Sequence, residues 1–349
     1  MITKNYELFL IQIGSTWTLD TLFLILIPIS IVGFVLNSIS LFVLFKINIK
    51  DTRLYLFLRV YTFNSVLICL LSSTSFIPFV PRYVNISNSY VSRFYRCVLM
   101  SFGGSTLFLY SNLIEILINL ERLSIFKTYY KNFTNKFSPI VLLIIFISSN
   151  LINTPFLFWY YAKSDQEFLN GKILDFINSS NISSFTYCGR TNFLKTNYGL
   201  ILSILNISIR DLFTLISEIF TGILIIIYFN KYIKGRILKL KPNERTSLNM
   251  TVEDLQISKT INENDIHRIS FRKSFNMVVS ITFLSVIVHI ISLLSYCLYL
   301  ISAKYDIFNL WSNFFTFFII FFLLIKNLSN FFIFYEFNSN FKNLLRLKN

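Results

Sequence analysis

The chain has 349 residues, of which 54% are hydrophobic and only 14% carry a charge. A soluble globular domain has about 25% charged residues, so this chain has too few to cover a folded surface in water. Its net charge of +15 suits either a nucleic-acid-binding protein or a membrane protein with basic cytoplasmic loops, and the positions of the basic residues decide between the two.

Seven apolar stretches follow one another, and each is long enough to cross a hydrocarbon core of about 30 Å as a helix. We number these predicted helices one to seven; they cover residues 21–45, 54–80, 97–122, 138–161, 197–229, 274–303 and 308–335. Residues 1–20 contain no clear signal peptide, because Glu7 and Gln12 interrupt their apolar run. The pattern predicts an all-α membrane protein whose seven-helix bundle spans residues 21–335.

The last residues, 336–349, form a separate pattern. Phe337, Phe341, Leu344 and Leu345 share one helical face, and basic residues surround the other. This spacing predicts a short amphipathic helix that lies at the surface of the membrane and ends in a cytoplasmic tail.

Predicted helix three has small or polar residues along most of its length. They are Ser101, Gly103, Gly104, Ser105, Ser111, Asn112, Glu115 and Asn119. Such residues are costly against lipid, but they suit a helix surrounded by other helices, where polar groups find partners and backbones approach closely. We therefore expect helix three to lie at the centre of the bundle.

The basic residues are distributed unevenly between the two ends of the bundle. The loops after helices one, three and five and the tail hold 19 Lys and Arg residues, against nine in the N-terminus and the other loops. This bias predicts an extracellular N-terminus and a cytoplasmic tail, as in a multi-pass protein of the plasma membrane, and it excludes the nucleic-acid interpretation. The Asn85, Asn178 and Asn181 glycosylation sequons then face the exterior.

The four cysteines fall into two groups. Cys69 and Cys297 lie within predicted helices and are interpreted as buried, small apolar side chains. Cys97 and Cys188 both lie on the predicted outer side, where the oxidising environment favours a disulfide between the long loop and helix three.

These residues resemble those of the rhodopsin-like G protein-coupled receptors over nearly the whole chain. In that family a disulfide joins helix three to the second outer loop, an acid–arginine pair ends helix three, helix one contains an Asn, and helix seven ends in N-P-x-x-Y before a basic amphipathic helix. The matching residues here are Cys97, Cys188, Glu121-Arg122-Leu123, Asn37, Asn330 with Phe334, and Phe341.

The sequence also departs from the family pattern. The helix-two Asp is replaced by Asn64, or by Ser65 if the loop is aligned one residue differently, and Phe331 replaces the Pro of helix seven. Helices five and six lack their prolines, although Tyr228 stands where the family has an activation Tyr. These departures indicate a divergent invertebrate receptor of the peptide or chemosensory type.

The resemblance implies three groups of functional residues. Glu121, Arg122 and Tyr228 would couple to a heterotrimeric G protein, although most arginines at a helix end simply extend to the membrane interface. The ligand pocket would include Gly104, Asp211 and His289. The activation core would contain Asn37, Asn64, Ser111, Glu115, Lys326, Asn327, Asn330 and Phe334.

Lys326 is a charge inside a predicted span. The resemblance puts it where many family members hold a sodium ion, so we hypothesise that its ammonium group replaces the ion, with Glu115 as its counter-charge. The alternatives are that Lys326 is neutral or that it extends to the membrane interface.

The resemblance also restricts the ligand. Amine receptors of this family have an Asp where Gly104 stands, and opsins have their retinal Lys where Leu324 stands, so neither class is expected. We expect a peptide ligand, or otherwise a small chemosensory molecule. Charges on the predicted outer side could meet a peptide or could simply be solvated: Arg82, Arg93, Arg96, Asp211 and Asp306.

Two other classes of protein compete with this interpretation. A transporter or channel would use Glu115, Glu218, Arg210 and Lys326 to line an ion or proton path, although no inverted internal repeat is visible. An enzyme is not expected, because the two His residues make no metal-ligand cluster and no Gly-rich phosphate loop is present. We expect no metal and no cofactor, and lipids as the surrounding partner.

Overall fold

The structure is a computed structural model that describes residues 2–47, 52–76, 89–124, 139–162, 164, 188–240, 275–277, 279–298, 301 and 309–346. Within these ranges, seven helices are long and apolar enough to cross a membrane. The prediction of a seven-helix membrane bundle is therefore confirmed. The sequons at Asn85, Asn178 and Asn181 lie outside the described residues, as does the side chain of Cys188.

The helices keep the numbers given to them above. Helix one is Ile2–Lys46, helix two Thr52–Phe76, helix three Tyr90–Ser124, helix four Pro139–Phe158, helix six Phe275–Leu298 and helix seven Asn309–Phe337. Helix five begins at Asn197 and ends at Leu240. A short helix eight, Ser339–Arg346, follows helix seven.

Helices one, three and five are longer than the sequence predicts, and helix three begins at Tyr90 instead of residue 97. Helix one begins at Ile2 instead of residue 21, and helix five continues beyond residue 229 to Leu240. Hydropathy located only the membrane-crossing part of each helix, because polar residues such as Asp20 and Lys231 end an apolar run without ending a helix.

Helix four is shorter than predicted. Its α-helical part ends at Asn153, and a 3₁₀ turn, Thr154–Phe158, follows. Pro155 explains this end, because proline has no N–H to donate and disfavours the α conformation in the residue before it. Strand β1, Tyr160–Ala162, then pairs antiparallel with strand β2, Cys188–Arg190. Within the described residues, this two-stranded sheet is the exception to the all-α prediction.

Helices three and five each contain one π-helical turn. In helix three the turn is Tyr95–Met100, which includes Cys97, and Ser101–Ser124 continues as α-helix. In helix five the turn is Ser208–Phe213, between α-helical segments Asn197–Ile207 and Thr214–Leu240. A π turn is rare and often lies at a functional site.

Helix three lies at the centre of the bundle, as its composition predicts. It packs against helices two, four and five, while helix one packs against helices two and seven. Helix six contacts helix three through Asn119, whose Nδ2 lies 3.3 Å from Thr282 Oγ1 of helix six. The same Nδ2 lies 3.4 Å from Thr221 Oγ1 of helix five. One residue therefore connects three helices near the Arg122 end of helix three.

Helix eight packs back onto helix seven. Phe341 is fully buried, and its ring centroid lies 5.9 Å from those of Phe331 and Phe334. The Asn338 side chain caps the helix by accepting the Phe341 N–H at 3.2 Å. This agrees with the amphipathic helix predicted for the end of the chain.

The two cysteines assigned to helix interiors have different environments. Cys69 is buried, and it faces Gly33 of helix one so closely that a Cβ at residue 33 would lie 3.0 Å from its Sγ. Cys297 is exposed, so the expectation that it is buried was wrong. It lies near the end of helix six, on the face that points away from the bundle.

Candidate functional site

The first part of the site is an ion pair between helices three and seven. Lys326 Nζ lies 2.5 Å from Glu115 Oε1, and both side chains are only 2% exposed. This is the pairing that the sequence predicts for Lys326. The alternative in which Lys326 extends to the membrane interface is excluded, because its charged end lies inside the bundle. A buried charge is tolerated at such a position only when it is paired.

A serine hydroxyl connects this pair to a second acid. Lys326 Nζ donates to Ser285 Oγ at 3.0 Å, and Ser285 Oγ donates to Glu218 Oε1 at 3.0 Å. Ser285 belongs to helix six and Glu218 to helix five, so the hydrogen bonds cross three helices. The sequence analysis did not identify Ser285.

His289 lies one turn after Ser285 in helix six, between two carboxylates of helix five. Its Nε2 is 3.5 Å from Glu218 Oε1, and its Nδ1 is 3.7 Å from Asp211 Oδ1. All three side chains are fully buried. The ring of Phe108 from helix three packs against the imidazole, with 5.4 Å between the ring centroids.

Asp211 also binds its neighbour in the chain, Arg210. The Asp211 Oδ2 accepts from Arg210 Nε at 3.0 Å and from Nη2 at 2.5 Å, and Oδ1 accepts from Ser292 Oγ of helix six at 3.0 Å. Arg210 lies over the ring of Tyr296 at 4.0 Å and reaches Ser105 of helix three at 3.5 Å. The site therefore touches helices three, five, six and seven.

Two of the charges interpreted as outer-side residues are inside the protein. The expectation that Asp211 is solvated was wrong, because its side chain is fully buried and bonded to Arg210 and Ser292, while its place in a ligand pocket stays a prediction. Arg93 is only 1% exposed and lies in the first turn of helix three, whereas a loop position was expected. Arg93 was misplaced because helix three begins at Tyr90, seven residues before the predicted start at residue 97.

We call these six ionisable residues the buried charge chain. Its members in order of contact are Glu115, Lys326, Glu218, His289, Asp211 and Arg210. Each is at most 2% exposed. Sequence reasoning singled out all six but joined only the first two. A signal for the rest was present, because Ser285, His289 and Ser292 recur at i, i+4 and i+7 and so share one face of helix six.

A second, uncharged polar group connects helices one, two, three and seven. Asn37 Nδ2 donates to the Asn327 carbonyl at 3.0 Å, and Asn330 Nδ2 donates to Ser65 Oγ at 3.4 Å. Asn64 instead turns toward helix three, where it donates to the Leu107 carbonyl at 2.8 Å. Ser65, rather than Asn64, therefore faces helix seven.

The remaining residues of the predicted activation core are buried as well. Ser111 is 2% exposed and Asn330 is 1% exposed, while Phe334 is fully buried against Phe341 of helix eight. They lie on helices three and seven, on either side of the Glu115–Lys326 pair.

The Arg122 end of the bundle contains the three residues predicted to couple to a partner. Glu121 and Arg122 are half-buried in the last turn of helix three, and the Arg122 guanidinium interacts electrostatically with Tyr55 of helix two and with Glu121. Tyr228 of helix five is half-buried and packs against the hydrophobic core.

The opposite end of helix three contains Cys97 and a region of open space. Cys97 is 1% exposed and disulfide-bonded, and β1 packs against the π turn that carries it. At Gly103 and Gly104 an added Cβ would meet no atom within 4 Å. The packing therefore leaves room beside this part of helix three. Among the described residues, no group of His, Cys, Asp or Glu side chains could hold a metal ion.

Comparison with known proteins adds a likeness of fold. No protein-family model matches the chain, and no curated protein sequence matches it. Among solved structures, the crystal structure of squid rhodopsin superimposes with a TM-score of 0.56 at 13% sequence identity, over 95% of this chain and 85% of that chain. The chain thus has the rhodopsin-like seven-helix fold.

Proposed function

We propose that this protein is a G protein-coupled receptor, which binds a ligand at the Cys97 end of the bundle and activates a heterotrimeric G protein at the Arg122 end. The main support for the proposal is that, in a rhodopsin-like bundle, Cys97 and the Glu121–Arg122 pair lie at opposite ends of the central helix. The ligand and the G protein would then act on the same helix from the two sides of the plasma membrane.

The proposed orientation has an extracellular N-terminus and a cytoplasmic helix eight. It rests on the distribution of basic residues and on the sequons at Asn85, Asn178 and Asn181. In this orientation Cys97 is proposed to pair with Cys188, and support comes from the free state of Cys69 and Cys297 and from the position of β2, which begins at Cys188.

The proposed activation core is the polar interior between helices three and seven. Its members hold the helices together through Asn37, Asn330 and the Glu115–Lys326 pair. An agonist would change the relative free energies of two packing arrangements of these helices, which is how a ligand shifts a conformational equilibrium.

A peptide is the first choice of ligand and a small chemosensory molecule the second. The open space at Gly103 and Gly104 supports a pocket at the Cys97 end. Amines are not proposed because no acid stands at Gly104, and retinal is not proposed because Leu324 stands at the position of the opsin lysine.

The transporter alternative receives less support. It needs intramembrane charges that face a water-filled path. Glu115, Glu218, Arg210 and Lys326 are instead at most 2% exposed and are in contact with other members of the buried charge chain.

The function is tested by G protein dissociation in cells that display the chain at their surface. The cells are challenged with a library of short amidated peptides and then with small odorants. A response to either library, absent from untransfected cells, is the expected result and identifies the ligand class. Ion or proton currents without G protein dissociation would replace the receptor proposal with the transporter alternative.

Filling the space beside helix three is expected to weaken the ligand response. A leucine at Gly104 has room to fit, because a Cβ there meets no atom within 4 Å, so the Gly104→Leu variant should reach the surface normally but need at least tenfold more agonist. Dose–response curves check this. Asn230→Leu is the control, because Asn230 is exposed on helix five toward the Arg122 end, far from the proposed pocket, and a leucine there has room; its agonist potency should equal that of the wild type. An unchanged agonist potency in Gly104→Leu would place the pocket elsewhere.

Sodium is expected to have no effect on agonist affinity. The Lys326 ammonium already supplies a cation 2.5 Å from Glu115, and Asn64 provides no anionic group in helix two. Agonist competition curves in NaCl and in an equal concentration of KCl should therefore coincide. A shift in NaCl alone would contradict the hypothesis that Lys326 stands in for the ion.

A further inference from the structure

The buried charge chain is electrically unbalanced unless it binds one more proton. It contains three carboxylates and two basic side chains, and each basic group contacts an acid: Glu115, Glu218 and Asp211 against Lys326 and Arg210. With a neutral His289 the chain retains one excess negative charge inside the bundle. An uncompensated buried charge is strongly unfavourable, so the chain should bind one more proton, either at His289 or at one of the three acids.

The geometry around the ring is consistent with this balance. The two ring nitrogens face two different carboxylates, Asp211 at 3.7 Å and Glu218 at 3.5 Å, and neither nitrogen has a hydrogen-bond partner among the described residues. A neutral imidazole has one N–H and one lone pair, so it would turn a lone pair toward one of the acids. An imidazolium has two N–H groups and is attracted to both.

Other titratable groups surround this site from every packed helix. Glu115 of helix three and Tyr61 of helix two lie in the same polar interior, and Tyr61 interacts electrostatically with both Glu115 and Glu218. The positive charge of Lys326 in helix seven disfavours a second positive charge on the His289 ring. Glu115 lies 2.5 Å from the Lys326 ammonium and neutralises it. Arg210 is likewise paired, with Asp211. Two acids therefore face the ring directly. Asp211 is shared with Arg210, whereas Glu218 contacts no other cation among the described residues.

We propose that His289 is a proton-binding site, and that the bound proton fastens helix six to helix five. Because His289 lies on helix six and both acids lie on helix five, the proton bridges the two helices. As an extension that rests on the proposed receptor function, protons would act as a second ligand of this receptor, at a site separate from the agonist pocket.

The direction of the pH effect follows from linkage. The arrangement described here holds the ring between two acids, so it binds the proton more tightly than any arrangement in which helix six has moved away. Lowering the pH therefore stabilises the packed arrangement, and raising the pH through the titration of His289 favours separation of helices five and six. If separation is the step that activates the G protein, acid opposes activation.

The protonation state is measured directly by ¹⁵N NMR of the full chain in lipid nanodiscs with labelled histidine. The chain has only two His residues, so a His267→Gln variant leaves the signal of His289 alone. At pH 7.5 the signal should be that of an imidazolium, whereas a histidine in water is about nine-tenths neutral there. A Glu218→Gln variant removes one of the acids and should lower the titration midpoint by at least one pH unit.

A neutral ring at pH 7.5 would overturn the proposal, and so would an unchanged midpoint in Glu218→Gln. Neither result depends on G protein coupling, so a failure of the proposed receptor function leaves this test intact.

The coupling to activation is measured as ligand-free G protein dissociation at pH 6.5, 7.4 and 8.2. It should rise with pH in the wild type and in His267→Gln, and it should be high and independent of pH in His289→Gln. A flat wild-type profile, with the ring an imidazolium at pH 7.5, would overturn the role of the proton in helix packing, because linkage then requires a pH dependence above about pH 6.5.

Discussion

Replacing Arg122 with alanine is expected to reduce agonist-stimulated G protein dissociation to background while leaving surface expression near the wild-type level. Arg122 ends the central helix, and its guanidinium interacts with Glu121 and Tyr55 instead of extending freely into solvent. In the receptors that this chain resembles, the corresponding arginine is held by its acidic neighbour at rest and meets the G protein on activation. Removing it should therefore abolish coupling without disturbing the core.

The control for this variant is a basic residue at the same end of the bundle. Lys231 lies on helix five and is exposed, so Lys231→Ala removes a positive charge from this end without removing a packed side chain. It should leave coupling within about twofold of the wild type, because an isolated surface charge contributes little. Undiminished coupling in Arg122→Ala, at equal surface expression, would falsify the assignment of this residue.

The second large effect is expected at the Glu115–Lys326 pair. Lys326→Met removes the cation and leaves Glu115 buried without a partner, and such a change costs about 3–5 kcal/mol. The variant should reach the surface poorly and unfold at a much lower temperature in detergent. A second change, Glu115→Gln, removes the unpaired charge, so the double variant should recover most of the lost stability.

An exposed ion pair provides the comparison for the buried Glu115–Lys326 pair. Lys342 Nζ lies 3.7 Å from Glu336 Oε2, and the two side chains are 24% and 63% exposed. Breaking this pair should change stability by about 0–1 kcal/mol, because water and salt screen it. Thermal unfolding of the wild type, Lys326→Met, Glu115→Gln and the double variant measures the stability of the buried pair. The same measurement on Lys342→Met gives that of the exposed pair. A double variant no more stable than Lys326→Met would show that the charges of Glu115 and Lys326 are not coupled.

The sequence predicted the number and order of the spans because a hydrocarbon core imposes a length on every helix. It predicted the limits of those helices less well. Helix four ends before Pro155, where proline chemistry overrides an apolar run, and helix one continues back to Ile2 through residues that are polar but still suit a helix. Hydropathy records where lipid contact is favourable, and a helix can extend past that point.

The candidate site was predicted in part. Lys326 and Glu115 were paired correctly, because a charge inside a span requires a counter-charge and few were available. The link from Glu218 through His289 to Asp211 was not predicted, because it depends on the rotation of helix five about its own axis. No glycine or proline marks the π turn at Ser208–Phe213 that contributes to this rotation. Asp211 consequently looked like a residue of the exterior.

The π turn in helix five also affects how this chain is compared with its relatives. A π turn accommodates one residue more than the α-helical turn it replaces. Aligning helix five without a gap against a relative that has a regular helix there would shift one side of the turn by a residue. Either Glu218 or the Arg210–Asp211 pair would then be matched to the wrong column. A search for the buried charge chain in other sequences should therefore allow a one-residue gap between positions 208 and 213, even though gaps inside membrane helices are usually penalised.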